Sequence, residues 1–262
     1  MNRANLWQFV WTLVVLLAIS GCAGQQIREE DTTGDLGKEN RESPAKLYVD
    51  MGIAYMQDGQ PAVAMKKLKK AISIDPKNAE AHNAIAILYE RLGKPELAAE
   101  HYDKAVQLQP KNPYIHNARG SYFCKQGSYQ KAEAEFESAL SNPLYPTPWV
   151  AMTNAGLCSE RSGDRVKAEN YYRRALTANP EYFQALYQMA GVSYQQGNYL
   201  SARAYLERYN AVAEPTAGSL WLGVQIERRM GDAAKAREYQ RQLRVLFPDS
   251  HEVQLLNQSK SL

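Results

Sequence analysis

From residue 45 onward, large apolar, small and helix-breaking residues recur at a fixed interval. Segments 45–78 and 79–112 align without a gap over 34 positions. In that register Tyr55 falls on Tyr89, Gly59 on Gly93, Ala64 on Ala98, Ala71 on Ala105 and Pro76 on Pro110. The spacing predicts two antiparallel helices per unit. Gly59 predicts the end of the first helix, because glycine takes the left-handed backbone that closes a helix without a Cβ clash. Ala64 and Ala71 leave room for the first helix to approach the second. Pro76 lacks the N–H that would continue the second helix, so it turns the chain into the next unit.

Four further units follow. The third starts at Pro113, with Gly120, Gly127, Ala132, Phe136 and Ala139; the fourth starts at Trp149, with Gly156, Gly163, Ala168, Tyr172, Ala175 and Pro180. The fifth has Tyr209 where a small residue is usual and Glu214 in place of proline, and the sixth has Leu243 in a small-residue slot. This is the tetratricopeptide (TPR) pattern. The units span 45–78, 79–112, 113–148, 149–182, 183–216 and 217–250, followed by a short capping helix within 251–262. The expected fold is all-α, a right-handed superhelical solenoid of six TPR helix pairs over 45–262. The period slips once, at "SNPLYPTPWV" (141–150), where three prolines lengthen the turn by two residues.

The first residues have a different pattern. Arg3 precedes an apolar run from Leu6 to Ile19, of about signal-peptide length and short for a membrane span. The run ends in Ile19-Ser20-Gly21-Cys22, which resembles the lipobox of bacterial lipoproteins. The resemblance implies a signal peptide over 1–21 and covalent diacylglycerol and N-acyl lipid on Cys22. Several acyl chains anchor stably, since each buried CH₂ contributes about 0.8 kcal/mol. Ala23 in place of Asp implies sorting to the periplasmic face of the outer membrane. Residues 22–44 carry the lipidated cysteine and a tether with six acidic and three basic residues. Its only large aliphatics are Ile27 and Leu36, too few to offset its ordering entropy.

Composition narrows the function. The chain has 262 residues, 45% hydrophobic and 23% charged, with a net charge of +3. That near balance, with no run of five like charges, argues against a nucleic-acid partner. The sequence contains no nucleophile elbow, phosphate loop or zinc-type Cys/His spacing, so no catalysis, small-molecule substrate or further cofactor is expected. His82 and His116 share one repeat position and are expected to pack rather than bind metal.

In a TPR stack the first helices line the concave face. Val49, Ile53, Met56 and Ile87 are expected to form an apolar stripe there, with Asn83 and Tyr114 on the same face. Such a stripe fits a partner segment; the alternative is that the tether or neighbouring side chains cover it. Tyr187, Tyr194 and Trp221 form a second, aromatic candidate. The basic clamp that holds a C-terminal carboxylate is not expected, since only Lys46 and the distant Arg228 qualify. Cys124 and Cys158 lie on neighbouring first helices at similar height, either bridged in an oxidising compartment or as two buried thiols.

Three features together resemble the PilF/PilW family of TPR lipoproteins, the pilotins of type IV pilus biogenesis. They are the lipobox, the six repeats, and "NPLYPTPWVAMTNAGLC" (142–158) between repeats three and four. The resemblance implies a monomeric scaffold that brings the pilus secretin to the outer membrane and promotes its multimerisation. It also implies a Cys124–Cys158 bridge. The competing expectation is a TPR lipoprotein serving β-barrel assembly or peptidoglycan enzymes.

Overall fold

A computed structural model of the chain describes residues 43–258. Cys22, the signal segment and the rest of the tether lie outside the described residues. Thirteen α-helices and no strand occur among the described residues. They are α1 (Pro44–Gln57), α2 (Pro61–Ile74), α3 (Ala79–Arg91), α4 (Pro95–Leu108), α5 (Pro113–Lys125), α6 (Tyr129–Leu140), α7 (Pro148–Ser162), α8 (Arg165–Ala178), α9 (Phe183–Gln195), α10 (Tyr199–Val212), α11 (Ala217–Met230), α12 (Ala233–Leu246) and α13 (His251–Gln258). Odd and even helices pair within each repeat, and α13 packs on α11 and α12.

Local chemistry sets the boundaries. Gly163 closes α7 with φ 90°, a left-handed conformation in which other residues are strained, and the matching glycine closes every other first helix. Side chains cap several helix starts: Asn78 Oδ1 accepts from Ala81 N at 2.8 Å, and Asp164 and Asp232 make the equivalent bond at 3.0 Å. Thr216 and Ser219 form a reciprocal capping box at α11.

The small residues meet the large ones as the repeat requires. Ala64, Ala71, Ala98, Ala105, Ala132, Ala139, Ala168 and Ala175 are fully buried. Gly120 and Gly156 lie against the rings of Phe136 and Tyr172, where a Cβ would overlap the ring. The two divergent repeats compensate locally. Tyr209 fills its slot beside Tyr187, with ring centroids 5.7 Å apart, and its hydroxyl donates to the Glu214 carbonyl at 3.2 Å. Leu243, Val253 and Leu256 share one buried cluster, so Leu243 serves to hold the cap.

The irregular joint is longer than the two-residue slip suggested. Helix α6 is short and α7 starts at Pro148, one residue before Trp149, so 141–147 connect them where the other repeats use four residues. The segment is also packed. Tyr145 is buried with Ala139 and Ala151, and Asn142 Nδ2 donates to the Lys111 carbonyl at 3.2 Å.

Candidate partner-binding groove

Ile53 and Met56 on α1, Asn83 and Ile87 on α3, and Tyr114 on α5 border one cavity of about 330 Å³. Helical spacing explains the set. Ile53 and Met56 are three residues apart, and Asn83 and Ile87 four, so each pair shares a helix face. Ile53 and Tyr114 are 36% and 49% exposed, while Met56 is buried and forms floor rather than rim. Gln57, Glu80 and Arg91 supply a polar margin. The Arg91 guanidinium donates to the Met56 carbonyl at 3.1 Å, tying the end of α1 to α3.

Two contacts hold the walls in place. Glu90 on α3 pairs with Lys125 on α5 and accepts from the Tyr102 hydroxyl at 3.2 Å. Burial first, then the adjacent Glu90 charge, push the Tyr102 hydroxyl far above the ordinary tyrosine range, so it stays a donor. Tyr114 meets Tyr145 of the joint edge to face, with ring centroids 5.2 Å apart. The side-chain oxygen of Asn83 is buried without a hydrogen-bond partner among the described residues.

Val49 does not belong to the open stripe. It is 1% exposed, in a cluster with Leu68, Ala81, Ala84 and Ile85. The small Ala81 and Ala84 let α3 close over it. The second candidate also changes membership. Tyr187 borders a cavity of about 250 Å³ with Leu157, Phe183, Gln184 and Tyr209. All three aromatics pack against the C-terminal core, Tyr194 also beside the Tyr199 ring at 5.7 Å. Of the three aromatics expected together, only Tyr187 lines that cavity. Phe183, 43% exposed at the start of α9, is the residue missed. It is the first residue of its unit, at the helix start, outside the aromatic set expected on that face.

Cys124 and Cys158 are disulfide-bonded, with Cα atoms 5.6 Å apart. The bridge joins α5 to α7 across the irregular joint, within a cluster that includes Ala132, Phe136 and Tyr171. His82 and His116 each face their own repeat's second helix. His82 Nδ1 lies 3.1 Å from His101 Nδ1, and burial lowers its pKa. His116 Nδ1 lies 2.7 Å from Glu135 Oε2, which also accepts Arg119 on its other oxygen. The hydrogen bond to Glu135 raises the His116 pKa. Burial pushes the Glu135 carboxyl up, but its bonds to His116 and Arg119 prevail and hold it below the usual range.

A stack of 34-residue helix pairs with an apolar groove on its inner helices is a TPR repeat protein. The tetratricopeptide repeat family model matches residues 55–122 and 161–217. The type IV pilus assembly protein PilF of Pseudomonas aeruginosa is 30% identical over 248 residues, covering 92% of this chain and 95% of that protein. The crystal structure of PilW, described as a widely conserved type IV pilus biogenesis factor, superposes with a TM-score of 0.72 at 30% identity, covering 82% of this chain and 99% of PilW. A Pseudomonas aeruginosa PilF structure gives the same TM-score and identity over 82% of this chain and 97% of its own. The chain belongs to the PilF/PilW family of TPR proteins.

Proposed function

We propose that this protein is an outer-membrane lipoprotein that acts as a pilotin, a scaffold that helps the type IV pilus secretin reach and multimerise in the outer membrane. The carrying observation is the cavity between α1, α3 and α5, in a chain whose relatives are named for type IV pilus assembly. Lipid on Cys22 holds the protein at the periplasmic face, and the groove holds a secretin segment. Ile53, Ile87 and Tyr114 take its apolar side chains. Asn83 accepts a backbone N–H of that segment after a small side-chain rotation. The work is binding rather than catalysis.

Burying one Leu-sized side chain in such a groove contributes about 1.5–3 kcal/mol. Ile53→Asp replaces apolar lining with a charge and leaves the core untouched. It should weaken secretin capture by roughly tenfold or more with an unchanged circular dichroism spectrum. Gels for heat-resistant secretin multimers, with a twitching assay in a deletion strain carrying the variant, read the consequence. Normal multimers with I53D would move the site to another surface. Capture of barrel-assembly factors or peptidoglycan enzymes in place of a secretin would replace the reading. Cys22→Ala should release the protein from the outer-membrane fraction; unchanged fractionation would remove the lipid anchor from the proposal.

A further inference from the structure

Helix α2 carries Lys66, Lys67, Lys69 and Lys70 and no acidic residue. It is the one second helix of the six without a carboxylate, and none of the others places more than two basic residues at the matching positions. Lys66, Lys69 and Lys70 are exposed, as is Lys77 in the following turn. They fall at helical spacing with Ser73 and form one stripe. Lys67 leans over the Tyr48 ring, 5.7 Å from its centroid.

In two later second helices a lysine is neutralised by the preceding repeat: Lys167 pairs with Glu133, and Lys235 with Glu207. Helix α2 has no preceding repeat to supply a carboxylate. Among the described residues no acidic group pairs with Lys66, Lys69, Lys70 or Lys77. The acid nearest in sequence, Asp75, is occupied in accepting from the Lys77 backbone N–H at 3.0 Å. Like charges three and four residues apart on a helix oppose its formation, so the stripe works against folding where it stands. Ile74, 39% exposed, places an apolar side chain beside the stripe.

We propose that the lysine stripe of α2 docks on anionic phospholipid headgroups of the bilayer that holds the lipid anchor, with Ile74 entering the headgroup layer. This rests on the lipoprotein reading for its location. The 22 residue steps from Cys22 to Pro44 reach at most about 75 Å, which confines the first repeat to within that distance of the membrane. An acyl anchor and a polybasic patch are complementary signals. Docking by the outer helix of repeat one would leave the inner groove facing away from the lipid and open to its partner.

The test uses the full chain incorporated into phosphatidylcholine vesicles, with or without phosphatidylglycerol, and lysine acetylation read by mass spectrometry. At low salt Lys66, Lys69, Lys70 and Lys77 should react several-fold more slowly on the anionic vesicles. High salt should restore them, while Lys235 does not change. Each lysine near an anionic surface contributes a factor of about five to partitioning. The full chain with Cys22→Ala should therefore still float weakly with anionic vesicles. Adding K66Q, K69Q, K70Q and K77Q should lower that flotation by about 600-fold. Equal reactivity on both vesicle types overturns the proposal. So does equal protection on neutral vesicles and in detergent, which would assign the stripe to the acidic tether. Salt-sensitive flotation that survives the four substitutions would assign it to another face. The anchor is judged separately, by flotation of the unsubstituted chain with neutral vesicles.

Discussion

Breaking the Cys124–Cys158 bridge should cost about as much as truncating a large core side chain such as Phe136. The bridge closes a loop of 34 residues. Loop-closure entropy for that length gives about 4 kcal/mol at 25 °C. Both sulfurs lie in a buried cluster, and the joint they span has the longest connection between repeats. For about 220 residues, each kcal/mol shifts Tm by roughly 2–4 °C, so reduction should lower Tm by about 8–16 °C. In a solenoid each repeat touches only its neighbours, so the loss should concentrate in α5 to α8. Thermal unfolding of oxidised and reduced protein gives the total, and hydrogen exchange gives the distribution. Cys124→Ala/Cys158→Ala should match the reduced protein and ignore added reductant. A Tm within about 2 °C of the oxidised protein would refute the entropic argument. Exchange raised evenly along the chain would refute the local one.

Two glycines in helix interiors should respond in opposite directions to alanine. Gly156→Ala pushes a methyl into the fully buried Tyr172 ring; overpacking of about 1–3 kcal/mol outweighs the gain of about 1 kcal/mol in helix propensity, so its urea midpoint should fall. Gly191→Ala meets nothing within 4 Å, so its midpoint should rise by the equivalent of about 0.5–1 kcal/mol. The His116–Glu135 pair should give a stability maximum bounded on both sides. Because folding raises the His116 pKa, its contribution is complete below about pH 6.5 and is lost as pH rises through the folded value; because folding lowers the Glu135 pKa, its contribution is complete above about pH 4.5 and is lost as pH falls through the folded value. His116→Gln should remove the alkaline loss and lower stability between those limits by about 1.5 kcal/mol, read as denaturation midpoint against pH.

The stack itself was legible because each recurring residue has one steric task. Gly59 and its counterparts end helices, the alanine pairs let helices close, and the prolines turn the chain. The bordering residues Ile53, Met56, Asn83, Ile87 and Tyr114 followed from the same register. Val49 did not, because inner-face position alone says nothing of the neighbour. Whether a side chain is open depends on what the next helix places opposite, and Ala81 and Ala84 place almost nothing. Tyr194 and Trp221 do not line the Tyr187 cavity, because aromatic side chains reach far enough to pack into gaps their helix position does not indicate.

The joint is where repeat logic had least to offer, since an insertion has no register. The sequence shows only that three prolines lengthen this turn by two residues. Tyr145 changes that reading. It is buried in the joint and meets Tyr114 edge to face, so the insertion fixes one wall of the groove that begins at Ile53. The bridge acts on the other side of the same element, through α5 to α7. Helix α5 is therefore held at its first turn by the joint and at its last turn by Cys124 and by Lys125 pairing with Glu90. A groove lined by three helices keeps its width only if the third cannot drift. Lengthening the turn between repeats three and four thus makes space for the side chain that holds the groove's far wall.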